Sequence, residues 1–386
     1  MKKLLPVILV LVLVCMGCVL AEDEERSCGD YTYVLQSDGT AKLKWYLGAE
    51  KHLVLPETLD GYTVTGTYKE TFAFNESIKT VTIPNNYEYF GFAAFDNCTN
   101  LSAFCVAADH PAFSVKDGVL FDREGETLLF YPYGLTDDSY TVPDGVKAIG
   151  ERAFSSADDL QVVCLPDSVK HIGDYAFSGC EYLYDVYLPQ YMDSIGEGAF
   201  ISTALHSIRI PEGVETIEDS TFIHCRYLNT VCLPDSLKEI CGNPFFCDSK
   251  LARIKLSGSH PVFEMNGSAL IDKSENRLVC LLQNYDSNTY ALPEGLRVIG
   301  NDSVMRHDGL EKLVLPDGVV SIEEGAFSYC LDLKEIVLPD SVRSIGDNAF
   351  AHCGMLSRLE LPDDLEYIGE DAFFRCDMLK ETDLRG

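Results

Sequence analysis

The sequence predicts a repeat solenoid made mainly of short strands. A segment such as LPDSVKHIGDYAFSGCEYLYDVYLP, residues 165–189, recurs with small changes along most of the chain, and most copies are 22 or 23 residues apart. Self-similarity at a fixed short period indicates a solenoid, in which each unit buries its apolar face only against its neighbours. The prolines that mark the copies are Pro56, Pro84, Pro143, Pro166, Pro189, Pro211, Pro234, Pro293, Pro316, Pro339 and Pro362.

The period lies in the range of leucine-rich repeats, and each copy has the same internal order. The segment before each proline alternates as a strand does, so that Val186 and Leu188 are expected to face inward. Proline followed by Asp or Glu then supplies turn chemistry. The predicted fold is therefore β-rich, with short irregular or 3-10 segments and little helix.

An aromatic column is the expected core of the solenoid. An Ala-Phe step in most copies would place one large ring per turn at the same position. Val304 replaces the phenylalanine in one copy and Pro244 precedes it in another, so we expect the column to be distorted there. The predicted members are Phe95, Phe154, Phe177, Phe200, Phe222, Phe245, Phe327, Phe350 and Phe373.

Two longer gaps separate Pro84 from Pro143 and Pro234 from Pro293. The two inserted segments resemble each other at a shift of 150 residues, since residues 110–113 and 260–263 both begin with His-Pro. Alternating apolar residues on either side of a glycine-containing turn favour hairpins. We therefore predict hairpin insertions near residues 107–137 and 257–287.

The N-terminal residues predict export. Residues 1–21 combine two lysines, an apolar run and small residues before Glu22, as a secretory signal peptide does. Cleavage after Ala21 is the favoured site, and the alternative is a lipoprotein box in which Cys18 carries an N-terminal lipid anchor. No later apolar stretch is long enough for a membrane span. The expected location is secreted or at the cell surface.

The remaining chain divides into a cap and a solenoid. Residues 31–35 and 41–45 alternate around a turn at 37–40, which is typical of a β-hairpin. We predict an N-terminal hairpin cap over residues 22–54, because a solenoid end exposes apolar surface and strand edges. The solenoid would then occupy residues 55–386.

Charge and cysteines limit the partners. The net charge of −31 repels phosphate backbones, so nucleic acid is not an expected partner. Six of the fifteen cysteines hold one repeat position, which favours packed thiols, although neighbouring turns lie within the separation that a disulfide tolerates. These six are Cys98, Cys180, Cys225, Cys330, Cys353 and Cys376.

The sequence offers no anchor for catalysis or for a cofactor. None of the eight histidines has zinc-site spacing, and there is no nucleophile elbow, phosphate loop or dinucleotide fingerprint. The acidic residues after the prolines lack the ligand-dense loops of calcium sites and are better explained as turn caps. We expect no enzyme activity, no metal and no cofactor.

Binding is expected on the outward face of the strands, where the core does not constrain the residues. These positions lie two and four residues before each proline, and the central copies place tyrosine and arginine there, as binding hot spots often do. The candidate binding residues are Val162, Cys164, Asp185, Tyr187, Ser207, Arg209, Thr230 and Cys232. In later copies, Lys312, Glu335 and Arg358 form an alternating charge ladder that favours neighbour pairing.

The repeat resembles the BspA-type leucine-rich repeats, whose unit is close to LPxSVxxIGxxAFxxCxxLxxVxLP. The resemblance covers nearly all of residues 53–386 and is closest in the copies ending at Pro189 and Pro339. It implies a curved right-handed solenoid that is exported to the cell surface and adheres to matrix proteins or host cells. The leading hypothesis is a secreted or surface-tethered protein, without enzyme activity, that binds extracellular protein or glycan through its concave sheet. The alternative is a structural, self-assembling surface protein.

Overall fold

The computed structural model describes residues 25–246, 250–282 and 289–380. Within these ranges every regular element is a β-strand, and turns and bends connect the strands. Contacts divide the chain into two compact units, the first comprising Met1–Asn100 and Cys105–Ala112 and the second Leu101–Phe104 and Phe113–Gly386. The predicted fold class, a β-rich repeat solenoid, is confirmed, whereas the boundary between cap and solenoid at residue 54 stays a prediction.

The strands are short. The first unit contains β1 Glu25–Cys28, β2 Tyr31–Leu35, β3 Ala41–Tyr46, β4 His52–Val54, β5 Thr58–Leu59, β6 Tyr62–Thr67 and β7 Thr80–Ile83, and β8 Ala103–Val106 follows. The second unit contains β9 Phe113–Lys116, β10 Val119–Asp122, β11 Thr127–Phe130, β12 Ser139–Thr141, β13 Ala148–Ile149, β14 Val162–Cys164, β15 His171–Ile172, β16 Asp185–Tyr187, β17 Ser194–Ile195, β18 Ser207–Arg209, β19 Thr216–Ile217, β20 Thr230–Cys232, β21 Glu239–Ile240, β22 Arg253–Lys255, β23 Phe263–Asn266, β24 Ala269–Asp272, β25 Arg277–Leu281, β26 Thr289–Ala291, β27 Val298–Ile299, β28 Lys312–Val314, β29 Ser321–Ile322, β30 Glu335–Val337, β31 Ser344–Ile345 and β32 Tyr367–Ile368.

The first unit begins with an antiparallel hairpin. β2 pairs with β3, with a β-bulge between Thr32 and Tyr33, and β1 adds an antiparallel strand on the outer side of β2. β3 then pairs in parallel with β6. β1, at one edge of this sheet, has the polar sequence Glu-Arg-Ser-Cys. Charged residues on an edge strand discourage pairing with other chains.

Each regular turn of the second unit contributes two strands. A three-residue strand precedes the proline and pairs in parallel with its counterpart in the next turn, as β14 does with β16. A two-residue strand ending in isoleucine forms a second parallel ladder, as in β13, β15 and β17. Both insertions form three antiparallel strands, β9–β11 and β23–β25, whose last strand pairs in parallel with the second ladder.

A third ladder runs through the turns around the Ala-Phe step. Alternate residues there donate their N–H groups to carbonyls of the following turn, as Tyr175, Phe177 and Gly179 do, each at 2.8 Å. Tyr175 and Gly179 have positive φ angles of 55° and 76°, and most turns repeat such a pair four residues apart. This left-handed conformation is uncommon outside glycine, but here it aims every second N–H group along the stack.

The aromatic column is present as stacked rings. In the second unit the successive phenylalanine ring centroids lie 4.9 to 5.7 Å apart, with interplanar angles of 2° to 11°. Tyr131 extends this column below Phe154 at 5.1 Å, and in the first unit Phe72 stacks on Phe95 at 4.8 Å. Phe72 and Tyr131 were not among the predicted members.

The column is interrupted where Val304 replaces phenylalanine. Val304 is buried, and the imidazole of His307 enters the core nearby, with its centroid 4.7 Å from the ring of Tyr290. At the equivalent position 150 residues earlier, Ala157 is buried instead. A cavity of about 30 Å³ lies beside His307. A polar ring therefore fills part of the space that the missing aromatic ring leaves.

The buried His307 predicts a pH dependence of stability. Burial lowers the pKa of His307, an effect that nearby backbone groups and the Asp308 carboxylate partly oppose. A histidine in the unfolded chain titrates near pH 6.5, so near neutral pH the imidazole is mostly uncharged in both the folded and the unfolded protein. As the pH falls, the imidazole of the unfolded protein is protonated first, which favours unfolding. We expect the contribution of His307 to the free energy of unfolding to be present above that pH and lost as the pH falls.

Urea unfolding of the parent and of His307→Ala near neutral and mildly acidic pH tests this dependence. The difference in unfolding free energy between the two proteins should shrink as the pH falls, since the alanine variant lacks the protonation penalty. His52→Ala, in which an exposed histidine is removed, serves as the control. A difference that is independent of pH would contradict the prediction.

The six repeat cysteines are packed thiols. Each Sγ donates to the carbonyl oxygen of the aromatic position one turn earlier, at 3.0 to 3.1 Å. Burial raises the pKa values of Cys98, Cys180 and Cys330 to about 12. The described cysteines form no disulfide with one another. The column therefore satisfies one backbone carbonyl per turn, and the possible disulfides between neighbouring turns are not formed.

Candidate functional site

The eight candidate residues all lie in β14, β16, β18 and β20 of the second unit. The middle residue of each strand, Val163, Val186, Ile208 or Val231, is buried. The residues on either side of it are half-buried or exposed, as the alternation of side chains along a strand requires. We call the surface formed by the eight flanking residues the strand face.

The register of the strands fixes which candidates are neighbours. Val162 lies beside Asp185 and Cys164 beside Tyr187 across β14 and β16. Across β18 and β20, Ser207 lies beside Thr230 and Arg209 beside Cys232. The strand face therefore consists of two pairs of neighbouring strands, each pair with one exposed polar or aromatic side chain next to a cysteine.

The strand face is divided between two sheets. β16 ends the sheet β12–β14–β16, and β18 begins the sheet β18–β20–β22. The turn between them is the copy from Pro189 to Pro211, which is one residue shorter than its neighbours. Tyr187 and Arg209 therefore lie on consecutive turns but in separate sheets, and the expected proximity of their side chains stays a prediction.

The exposed candidates differ in chemistry. Tyr187 is 56% exposed, and a hydrogen bond with the Asp185 carboxylate raises the pKa of its phenol. Ser207 and Arg209 are exposed, whereas Cys164, Thr230 and Cys232 are half-buried. The strand face thus offers one aromatic ring, one guanidinium and one carboxylate, none of which the core requires.

The charge ladder of the later turns is engaged in neighbour pairing. Glu335 accepts from Lys312 on one side and from Arg358 at 3.1 Å on the other. Hydrogen bonds from these two cations lower the pKa of Glu335. This part of the sheet resembles a stabilising charge ladder more than a binding surface, although Val314 and Val337 are each 41% exposed beside it.

A row of aromatic side chains beside the strand face was not predicted. Tyr184 meets His206 edge-on at 6.2 Å, His206 stacks on Tyr227 at 5.9 Å, and the Lys250 Nζ lies 4.7 Å from the Tyr227 ring centroid. The strand alternation pointed to positions within the strands, whereas these residues precede them. The sequence feature that could have pointed to this row is the shortened copy that ends at Pro211.

The described residues show two further features relevant to function. In the ranges 25–246, 250–282 and 289–380, no group of three or more His, Cys, Asp or Glu residues is arranged to hold a metal ion. No helix in that part of the chain has the length and apolar character to cross a membrane. The predicted signal peptide, residues 1–21, and the possible lipidation site Cys18 lie outside the described residues.

Comparisons with known proteins agree with this architecture. The family model of the BspA type leucine rich repeat region matches residues 57–112, 131–266 and 284–386 in six copies. No curated protein sequence matches the chain. Among solved structures, the chain is similar to a leucine rich cell surface protein of Faecalibacterium prausnitzii, with 24% identity and a TM-score of 0.51 over 92% of this chain and 87% of that one.

Two other solved structures share less of the geometry. The pneumococcal vaccine antigen PcpA is 19% identical with a TM-score of 0.44, covering 90% of this chain and 78% of that one. A leucine-rich repeat protein of Bacteroides ovatus is 22% identical with a TM-score of 0.40, covering 92% and 93%. The family match spans most of the sequence, and its residues are those that form the turns, the aromatic positions and the thiol column. The chain therefore belongs to the BspA-type leucine-rich-repeat family.

Proposed function

We propose that this protein is exported to the bacterial cell surface and binds an extracellular protein or glycan through its strand face, without catalysing a reaction. The observation that carries the proposal is the strand face itself, where Tyr187 and Arg209 are exposed and the core constrains neither. Tyrosine and arginine are enriched at binding hot spots. Family membership and the signal-like residues 1–21 support the location.

The absence of recognisable catalytic motifs supports a binding role. Some polar side chains on the strands pair with neighbouring turns, as Lys312 and Arg358 do with Glu335. Repeat solenoids offer extended surfaces that suit protein or glycan recognition. The acidic net charge of −31 disfavours nucleic acid and anionic lipid as partners.

A binding screen of residues 22–386 against extracellular matrix proteins and glycans tests the proposal. The double variant Tyr187→Ala, Arg209→Glu should lose most of the binding, because truncation of hot-spot residues often costs about 2 kcal/mol or more each. Tyr191→Ala, Arg297→Glu is a matched control, since Tyr191 is 57% exposed and Arg297 is exposed outside the strand face. Equal binding by both double variants would contradict the strand face as the site.

The second candidate function is self-assembly. β32 is the outermost strand of the seven-stranded sheet β23–β24–β25–β27–β29–β31–β32. Ile368 is 46% exposed in β32, whereas Ile345 is buried at the equivalent position of β31. Exposed edge strands pair readily with other chains. Light scattering that shows only monomer over a wide concentration range would contradict self-assembly, and growth of oligomers that Ile368→Lys prevents would support it.

A further inference from the structure

One turn of the second unit is one residue short, and the missing residue lies between the aromatic position and the strand. Residues 203–205, Thr-Ala-Leu, stand where the preceding turn has Cys-Glu-Tyr-Leu at 180–183 and the following turn has Cys-Arg-Tyr-Leu at 225–228. Ala204 thus replaces a charged residue and a tyrosine. The two neighbouring turns each present those two side chains at the surface.

The short loop is held deep in the stack. Thr203 takes the place of the repeat cysteine, donates from Oγ1 to the Phe200 carbonyl at 3.0 Å and lies 3.2 Å from the Cys225 Sγ. Ala204 and Leu205 are buried. Because the loop recedes between two full-length turns, it leaves a notch of about 280 Å³ at the surface.

The walls of the notch carry both aromatic and polar groups. Tyr182, 63% exposed, comes from the preceding turn, and Tyr227, 50% exposed, comes from the following turn. The polar groups that line it are Glu181, Ser202, His224 and Arg226. The arrangement combines two tyrosine rings with a carboxylate, a hydroxyl, an imidazole and a guanidinium.

The surroundings organise part of this site before any ligand arrives. Tyr227 is packed by the His206 ring and approached by the Lys250 ammonium, which limits the rotamers of its side chain. Burial and the nearby Arg306 and Arg226 lower the pKa of His224, so that its imidazole is neutral at neutral pH. A neutral imidazole both donates and accepts hydrogen bonds.

We propose that this notch, which nothing in the repeat pattern requires, binds one neutral pyranose ring of a glycan. Tyrosine rings suit the apolar C–H face of a sugar, and planar charged side chains such as Glu181 and Arg226 form strong hydrogen bonds with hydroxyl groups. The volume of about 280 Å³ lies just below the range of drug-sized ligand pockets, which begins at about 300 Å³, and suits a single ring. The Glu181 carboxylate and the acidic chain disfavour an acidic sugar.

This inference rests on the proposed extracellular binding function and names the glycan as its ligand class. Titration of residues 22–386 with free glucose, galactose, mannose and N-acetylglucosamine, beside an array of glycans ending in these sugars, tests it. We expect one of these sugars to bind, and we expect Tyr182→Ala and Tyr227→Ala each to weaken binding at least about tenfold, the equivalent of 1.4 kcal/mol. Arg226→Ala should weaken it without any packing change, because Arg226 is exposed.

The controls separate the notch from the strand face. Tyr191→Ala should leave sugar binding unchanged, and thermal unfolding checks that each variant is folded. Loss of sugar binding in the notch variants but not in Tyr187→Ala, Arg209→Glu supports the notch. Loss in the strand-face variant alone would overturn the notch and keep the proposed function. Failure of all these sugars and array glycans to bind would overturn the notch, while the matrix-protein screen would still test the strand face.

Discussion

Replacing Phe177 with alanine is expected to lower the free energy of unfolding by about 3–5 kcal/mol. The ring of Phe177 is completely buried and stacks between Phe154 at 4.9 Å and Phe200 at 5.4 Å. Its removal takes away apolar burial and leaves a cavity that the hydrogen-bonded ladders on either side prevent from collapsing. Because turns of a repeat protein are stabilised by their neighbours, the loss affects the turns before and after it.

Urea unfolding followed by circular dichroism measures this effect. Phe374→Ala is the matched control, because Phe374 is 46% exposed and its main ring contact is an edge-on one with His352 at 5.4 Å. We expect the control to cost about 1 kcal/mol or less. Similar losses for the two variants would show that the column is not the main source of stability.

Replacing Gly173 with alanine is expected to destabilise the protein by about 1–3 kcal/mol. An added Cβ at Gly173 would lie 2.7 Å from the Glu151 nitrogen and 2.9 Å from the Gly150 carbonyl carbon, both backbone atoms of the preceding turn. The ladder would have to widen locally. Another turn has a side chain at the equivalent position, namely Glu218. We therefore expect the alanine variant to fold with an overpacked turn and a lower free energy of unfolding, rather than to be unfolded.

Gly258→Ala provides the comparison for this prediction. An added Cβ at Gly258 meets no atom within 4 Å, and its backbone is not in the left-handed region. We expect its unfolding free energy to equal that of the parent within about 0.5 kcal/mol. A Gly173→Ala variant as stable as Gly258→Ala would mean that the turns are spaced more loosely than the structure shows.

Much of the fold could be predicted because every copy of the repeat must bury its apolar face against its neighbours, so the same residue pattern recurs many times. The proline period located the strands, and alternation assigned Val186 to the core and Tyr187 to the surface, as the structure shows. The column members Phe72 and Tyr131 escaped prediction because neither stands 11 residues after one of the marking prolines, as all the predicted members do. The left-handed residues were equally hidden, since Tyr175 adopts a conformation that sequence would assign to glycine.

The candidate site was less predictable, because it depends on how neighbouring turns differ. The 22-residue spacing before Pro211 was visible in the sequence. Its consequences were not, since the break between β16 and β18 and the notch beside Thr203 both arise from contacts between turns. Sequence periodicity describes what turns share, whereas the candidate binding surfaces lie where one turn departs from the pattern.

Protection of Cys164 and Cys232 from alkylation tests the proposed strand face most directly. Both thiols are half-buried on that face, next to Tyr187 and Arg209, whereas Cys105 is exposed in the first unit and serves as an internal reference. Iodoacetamide labelling, quantified by mass spectrometry of the peptides, would be compared with and without a saturating matrix protein or glycan from the screen. We expect binding to slow the labelling of Cys164 and Cys232 several-fold and to leave that of Cys105 unchanged. Unchanged labelling of Cys164 and Cys232 at saturation would contradict binding through the strand face.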